Sequence, residues 1–251
     1  MKIINNLSIT LILLLIGMVS CQKDRYIQGS GKIDTEFRVL NGFTGVSSEG
    51  DFEVYIDTAS YFEIKVEADR NFMPYVSTII NGKTLVIRTL NNKIFEDSEP
   101  VRVFIKVPYI SYVSLSGSGL LACDNAYNLN TEVNLSGSGD ISMFNLDTES
   151  INAKVSGSGQ IELQGLATVG KFSISGSGRI KGYSVKTRSQ PNGRLEIKHC
   201  EISISGSGDA FVWIWDFLDV NISGSGIVYY RGNPKILNYQ IPGSGDVRND
   251  N

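Results

Sequence analysis

The chain has 251 residues, 41% hydrophobic and 20% charged, with 23 basic residues, 26 acidic residues and a single histidine. A formal net charge of −3, with both signs well mixed, excludes the basic stripe of a nucleic-acid binder. Past the N-terminal segment no apolar run reaches bilayer length, so the rest reads as one body large enough for a sizeable core.

Residues 1–20 read as a targeting segment. Lys2 supplies a small positive start, and residues 9–16 are an almost unbroken apolar run, too short to span a bilayer and suited to a signal peptide. Met18, Val19, Ser20 and Cys21 resemble a lipobox, which implies cleavage before Cys21 and acylation of its thiol and amine. Palmitate-type chains anchor through roughly 0.8 kcal/mol per buried CH₂. Gln22-Lys23-Asp24 is similar to the short tag with which some Gram-negative lipoproteins are exported to the cell surface. Without Lys2 the chain carries 22 basic and 26 acidic residues, net −4.

Residues 21–32 are polar and read as a tether. From 33 to 115 the chain is β-rich but irregular. Segments 51–56, 62–66, 84–89 and 101–107 alternate apolar and polar residues, the mark of half-buried strands. Asn81-Gly82 suits a tight turn, and 69–76 a short helix around Pro74. Residues 46–51 look like a degenerate copy of a Ser-Gly-Ser-Gly-Asp unit that recurs further along the chain.

That unit repeats from 116 to 251. Ser-Gly-Ser-Gly stands at 116–119, 136–139, 156–159, 175–178, 205–208 and 223–226, with a Pro-Gly-Ser-Gly variant at 242–245. A period of about 20 residues means that one structural unit is being stacked. Apolar residues two apart precede each tetrapeptide: Val113/Leu115, Val133/Leu135, Ala153/Val155, Phe172/Ile174, Ile202/Ile204, Val220/Ile222 and Tyr239/Ile241. The same parity continues beyond it and places serines outward and glycines inward. Glycine columns would admit a close opposing wall or a bend with positive φ. Such a unit predicts an all-β, right-handed parallel β-helix with rungs of about 20 residues. One interval is 30 residues long; residues 186–194, with a Pro-Asn-Gly turn, read as a polar excursion.

Residues 37–51, 81–87 and the repeats together resemble the head GIN domain family of auto-transporter adhesins. The resemblance covers most of residues 36–248. It implies a β-helix similar to the pectin-lyase-like solenoids, without a recognised catalytic constellation.

Catalysis by a β-helix needs paired carboxylates or an Asp/Arg/Lys cluster on neighbouring rungs. The residues after the tetrapeptides are Leu120, Asp140, Gln160, Arg179, Asp209, Ile227 and Asp246, so no two of these aspartates adjoin; Arg179 and Asp209 form an outward ion pair. The period is wrong for the nine-residue calcium repeat, and strands rather than helices come after the glycines, so no phosphate cradle forms. His199 points outward with no second metal ligand nearby. Cys123 and Cys200 point inward about four rungs apart, near 19 Å, too far for a disulfide. No cofactor or metal is expected.

One surface stands out. In residues 209–215, Ala210, Val212 and Ile214 point in, so Phe211, Trp213 and Trp215 point out. Repeat alignment sets Tyr183 beside Trp213 and Tyr229 beside Phe211, flanked by Lys181 and Arg231. Outward aromatics with long cations suit a sugar ring or a protein partner, unless the 186–194 excursion or another subunit covers them. The expectation is a non-enzymatic outer-membrane lipoprotein, surface-exposed or periplasm-facing, held to the membrane by its lipid and binding a glycan or surface protein. A glycan-degrading enzyme and a ligand-free envelope scaffold are the alternatives; the oligomeric state stays open.

Overall fold

The computed structural model describes residues 25–96, 98–182 and 194–251. The signal segment, Cys21, Tyr183 and residues 186–193 of the excursion lie outside them. The described chain is all-β, with two single-turn 3₁₀ segments, Met73–Tyr75 and Leu90–Asn92. The helix expected over 69–76 is that first turn alone. Pro74 is its second residue, and Val76 is already extended at φ −86°, ψ 107°.

Successive copies lie side by side in the same direction. Tyr112–Gly117 pairs in parallel with Tyr127–Gly137, Val113 opposite Val133 and Leu115 opposite Leu135. That strand pairs with Asp140–Gly157, which sets Val133 opposite Ala153 and Gly137 opposite Gly157. The next pairing sets Ala153 opposite Phe172 and Val155 opposite Ile174. Strands after the tetrapeptide form a second track: Arg179 faces Asp209 and Lys181 faces Phe211, and Phe211 faces Tyr229 in turn. Identical parity in every copy brings the apolar positions into register, so no copy needs to bury its face alone.

The inward residues are buried as their parity requires. Val113, Leu115, Leu121, Cys123, Val133, Leu135, Ile141 and Met143 have at most 2% exposure, and the series runs on to Val228. Near the C-terminal end Tyr230 and Ile241 are only partly buried, and Tyr239 departs furthest. It is 58% exposed, because Ile236–Gln240 is paired on one side only, with Asp209–Ile222.

The glycines are dictated by their neighbours' backbones, not by an opposing wall. A Cβ on Gly159 would lie 2.2 Å from the carbonyl oxygen of Gly139. That closeness has a use. The N–H groups of Ser158 and Gly159 both donate to Gly137 O, at 2.9 and 3.0 Å, and Gln160 N–H donates to Gly139 O at 3.1 Å. Gly157 also sits at φ +131°, where an L side chain is strained. The serines stand exposed on the outside, and the Ser244 hydroxyl bonds that of Ser225 at 3.0 Å.

The N-terminal part extends the same layers in another order. Gly45–Glu49 pairs in parallel with Tyr112–Gly117, and Glu53–Thr58 with Leu120–Asp124. Residues 46–51 are therefore a true, degenerate copy, with Phe52 where later copies have their second glycine. Thr84–Thr89 and Arg102–Val107 pair in parallel on the other side of that copy. Beyond them the chain turns antiparallel: Glu63–Asp69 on Arg102–Val107, Val76–Asn81 on Thr84–Thr89, and Ile33–Arg38 on Glu63–Asp69. The segment read as a tether is not wholly free, for Tyr26–Gln28 pairs with Ile94–Glu96.

Candidate functional site

Alternation in Asp209–Ile222 sends Ala210, Val212 and Ile214 into the core at 0% exposure. Phe211 and Trp213 are half-buried on the outer face, and Trp215 is 49% exposed. Phe211 and Tyr229 stack with centroids 4.8 Å apart and ring planes 5° from parallel. A face-to-face aromatic pair in strand register contributes about 0.5–1.5 kcal/mol beyond its burial. The Arg194 guanidinium lies 4.0 Å over the Trp213 ring, and that of Arg248 lies 5.9 Å over Tyr229. Arg248 is positioned by Asp246 at 2.8 Å. The Asp246 carboxyl is held below its ordinary value, chiefly by the Arg248 hydrogen bond and next by the Val247 N–H.

The neighbour of Trp213 on the preceding strand is Glu196. Aligning the repeats by their tetrapeptides set Tyr183 in that place; Tyr183 lies outside the described residues, and the strand that reaches Trp213 spans Leu195–Ile204. Glu196 ties the surface together: it accepts from Trp215 Nε1 at 3.2 Å and from Arg194 Nε at 2.7 Å. The Trp213 indole N–H has no acceptor among the described residues. The structure thus brings Phe211, Trp213 and Tyr229 together, with Trp215, Arg194 and Arg248 beside them. Both expected flanking cations are in register with the rings, Lys181 with Phe211 and Arg231 with Trp213; the Arg231 guanidinium also pairs with Asp250 at 2.9 Å.

A second aromatic pair escaped the sequence reading. Tyr55 and Phe104 stack at 5.3 Å, and Lys65 Nζ lies 4.2 Å from the centre of the Phe104 ring. Both belong to the same outward row as Phe211 and Tyr229. The alternation in 51–56 and 101–107 was the available signal, but their adjacency was not.

Arg179 and Asp209 meet at 3.7 Å with Arg179 more than half exposed, a pair worth under about 1 kcal/mol. His199 pairs with Asp216 at 3.2 Å, and Lys235 reaches the other oxygen of Asp216 at 3.0 Å. Among the described residues no three His, Cys, Asp or Glu side chains group as metal ligands. Cys123 and Cys200 are buried thiols. Burial, with Asp124 and Asp57 adding to it, pushes the Cys123 thiol up to about 12; burial likewise raises that of Cys200.

The outer sheet face thus carries stacked rings with arginines over them. Comparison with known proteins agrees at the level of class. Residues 42–234 match the family described as "Putative auto-transporter adhesin, head GIN domain", and the chain belongs to that family. An adhesin family implies a place at the cell envelope or surface. No curated protein sequence matches the chain. Solved structures share the fold. A "putative adhesin" from Bacteroides fragilis superposes with a TM-score of 0.79 at 20% identity, covering 89% of this chain and 99% of that one. A "putative lipid binding protein" from Parabacteroides distasonis gives 0.71 at 22% identity, covering 90% and 100%. A "putative adhesin" from Parabacteroides merdae gives 0.68 at 19% identity, with 90% and 100% covered.

Proposed function

We propose that this protein is a non-catalytic adhesin of the outer membrane, anchored by acylation at Cys21, whose aromatic face around Phe211, Trp213 and Tyr229 binds glycan on a partner surface. The observation that carries this reading is the stacked Phe211–Tyr229 pair with Trp215 open beside it and Arg194 and Arg248 over neighbouring rings. Aromatic faces bind the C–H faces of sugars, while Glu196 and the arginines offer hydrogen bonds to hydroxyls.

The body is a right-handed parallel β-helix in this reading. Parallel registers between successive copies, two tracks of strands and one continuous column of inward residues support it. Such a rigid rod holds its outer rings in fixed places, so little order has to be gained on binding.

Support for a binding role over hydrolysis comes from the carboxylates. Asp57 and Asp124 stand on adjacent strands, and both are exposed. Asp124 accepts from Asn145 Nδ2 at 2.7 Å and from the Asn125 N–H at 2.9 Å. Oxygens that stand open to water beside such donors suit the receipt of a ligand's hydroxyls.

The test replaces Trp213 and Tyr229 by Ala in the full chain and measures glycan-array binding and attachment of intact cells. Loss of central aromatic contacts costs about 2 kcal/mol or more, roughly thirtyfold in affinity. Unchanged signals in both assays would remove this face from the function.

A further inference from the structure

The outer row that contains both aromatic pairs has a gap. In strand order it reads Phe104, Tyr55, Ala122, Ser142, Glu162, Lys181, Phe211, Tyr229 and Arg248. Phe104 covers one face of Tyr55. The other face looks toward the next strand, where the row has only the methyl of Ala122. The row position after that is the small Ser142. Two strand spacings, about 10 Å, thus separate the Tyr55 row position from that of Ser142 with no large side chain between. A cavity of about 450 Å³ opens over Tyr55, Ala122 and Asp124, reaching from Phe104 on one side to Phe144 on the other. That is the size and lining of a small-molecule site.

Charge narrows the ligand. Asp57, Glu63 and Asp124 line the cavity against the single ammonium of Lys106. Three carboxylates to one cation repel phosphates, sulfates and uronic acids. Cations have already been supplied from within: Lys65 stands over Phe104 and Lys106 over Tyr61, at 4.2 and 5.6 Å. What remains on offer is the second face of Tyr55 and two neighbouring carboxylates whose Oδ1 atoms accept from Asn125 and Asn145 while their Oδ2 atoms take none of these bonds. That combination matches a ring with a C–H face and vicinal hydroxyls.

We infer that the slot above Ala122 binds a neutral sugar ring, stacked on Tyr55 with its hydroxyls donating to Asp57 and Asp124. Four strand spacings, about 19 Å, separate this slot from Phe211 along the same row, so the two sites can hold separate residues of one saccharide chain. The inference rests on the proposed glycan-binding function only for the chemical class of ligand; the slot's geometry stands apart from the Trp213 face.

The test probes the slot and the face separately. Full-length protein carrying ¹³C-labelled alanine methyls is titrated with neutral hexasaccharides of β-1,4-glucan, β-1,4-xylan and α-mannan, and with a glucosamine hexamer and a polyuronate as charged controls. A saturable shift of the Ala122 methyl with at least one neutral hexamer is the expected result, retained when Trp213 and Tyr229 are both Ala. Tyr55→Ala removes the stacking ring, and Ala122→Phe fills the slot on an outward-facing position; each lowers that affinity at least tenfold while far-UV circular dichroism stays that of the parent. An Ala122 methyl that no neutral hexamer moves overturns the inference, even where the Trp213 face binds glycans. A methyl that responds only to the amine-bearing or the anionic control overturns it too. If Ala122 responds while the Trp213/Tyr229 variant attaches to cells and glycans unchanged, the slot stands and the aromatic-face reading falls.

Discussion

Replacing Gly159 by Ala isolates what the repeated glycines do. The new Cβ would meet Gly139 O at 2.2 Å and Leu135 Cδ2 at 2.8 Å. A comfortable carbon–oxygen contact is about 3.3 Å or more, so the strand must retreat by roughly 1 Å. Three hydrogen bonds cross the gap that would open: Ser158 and Gly159 N–H to Gly137 O, and Gln160 N–H to Gly139 O, all between 2.9 and 3.1 Å. At about 1 kcal/mol each the loss is about 3 kcal/mol. For a domain of this size that lowers the melting temperature by roughly 6–12 °C. Ser158→Ala is the matched control, since Ser158 is exposed; its effect should stay within about 0.5 kcal/mol. Differential scanning calorimetry of the two variants beside the parent decides the matter. A Gly159→Ala protein that melts within about 2 °C of the parent would refute close strand approach as the reason for the glycines.

Three further outcomes are expected. Cys123 and Cys200 should resist alkylation at pH 8 in the folded protein and react fully in denaturant, because burial raises both thiols; peptide mapping that finds either one modified within an hour under native conditions contradicts this. The Asp216 carboxyl is held below its ordinary 3.8 by hydrogen bonds from Lys235 first and His199 second. A depressed carboxyl contributes stability above its unfolded value and loses it as pH falls through the folded value. The difference in melting temperature between the parent and Asp216→Asn should therefore be present at pH 6 and shrink below pH 3.8; an equal difference at pH 6 and pH 2.5 would show that the ion pair has no part in it. Incubation with neutral or acidic polysaccharides should release no reducing ends and no unsaturated products; a signal abolished by Asp57→Asn or Asp124→Asn would instead establish a glycan-cleaving enzyme.

The repeated half of the fold was legible because one parity runs through it. From Val113 to Val228 the residues read as inward are buried, and Phe211 meets Tyr229 as counting from the tetrapeptides requires. The reading failed where the chain stops advancing one layer at a time. The layer built by Gly45–Glu49 and Glu53–Thr58 comes first in sequence yet lies between those of Thr84–Thr89 with Arg102–Val107 and Tyr112–Gly117 with Leu120–Asp124. Tyr55 and Phe104 thus stack across 49 residues of sequence, and no local pattern announces that meeting. Glu196 is the residue in register with Trp213, and counting from the tetrapeptides did not find it, because the long interval lies between them. The glycines' inward parity was readable, but not that their nearest neighbour would be the carbonyl of the preceding copy. That fact depends on strand spacing at a corner, which residue type alone does not fix.

Adhesion requires the protein to face outward from the cell, and this is open to direct measurement. Intact cells producing the full chain are treated with a protease that cannot cross the outer membrane, and the protein is followed by immunoblot beside a periplasmic marker. The account predicts that the chain is cleaved or shed while the marker survives. A chain that persists until the cells are lysed would contradict a role in attachment and leave the aromatic face turned toward the periplasm.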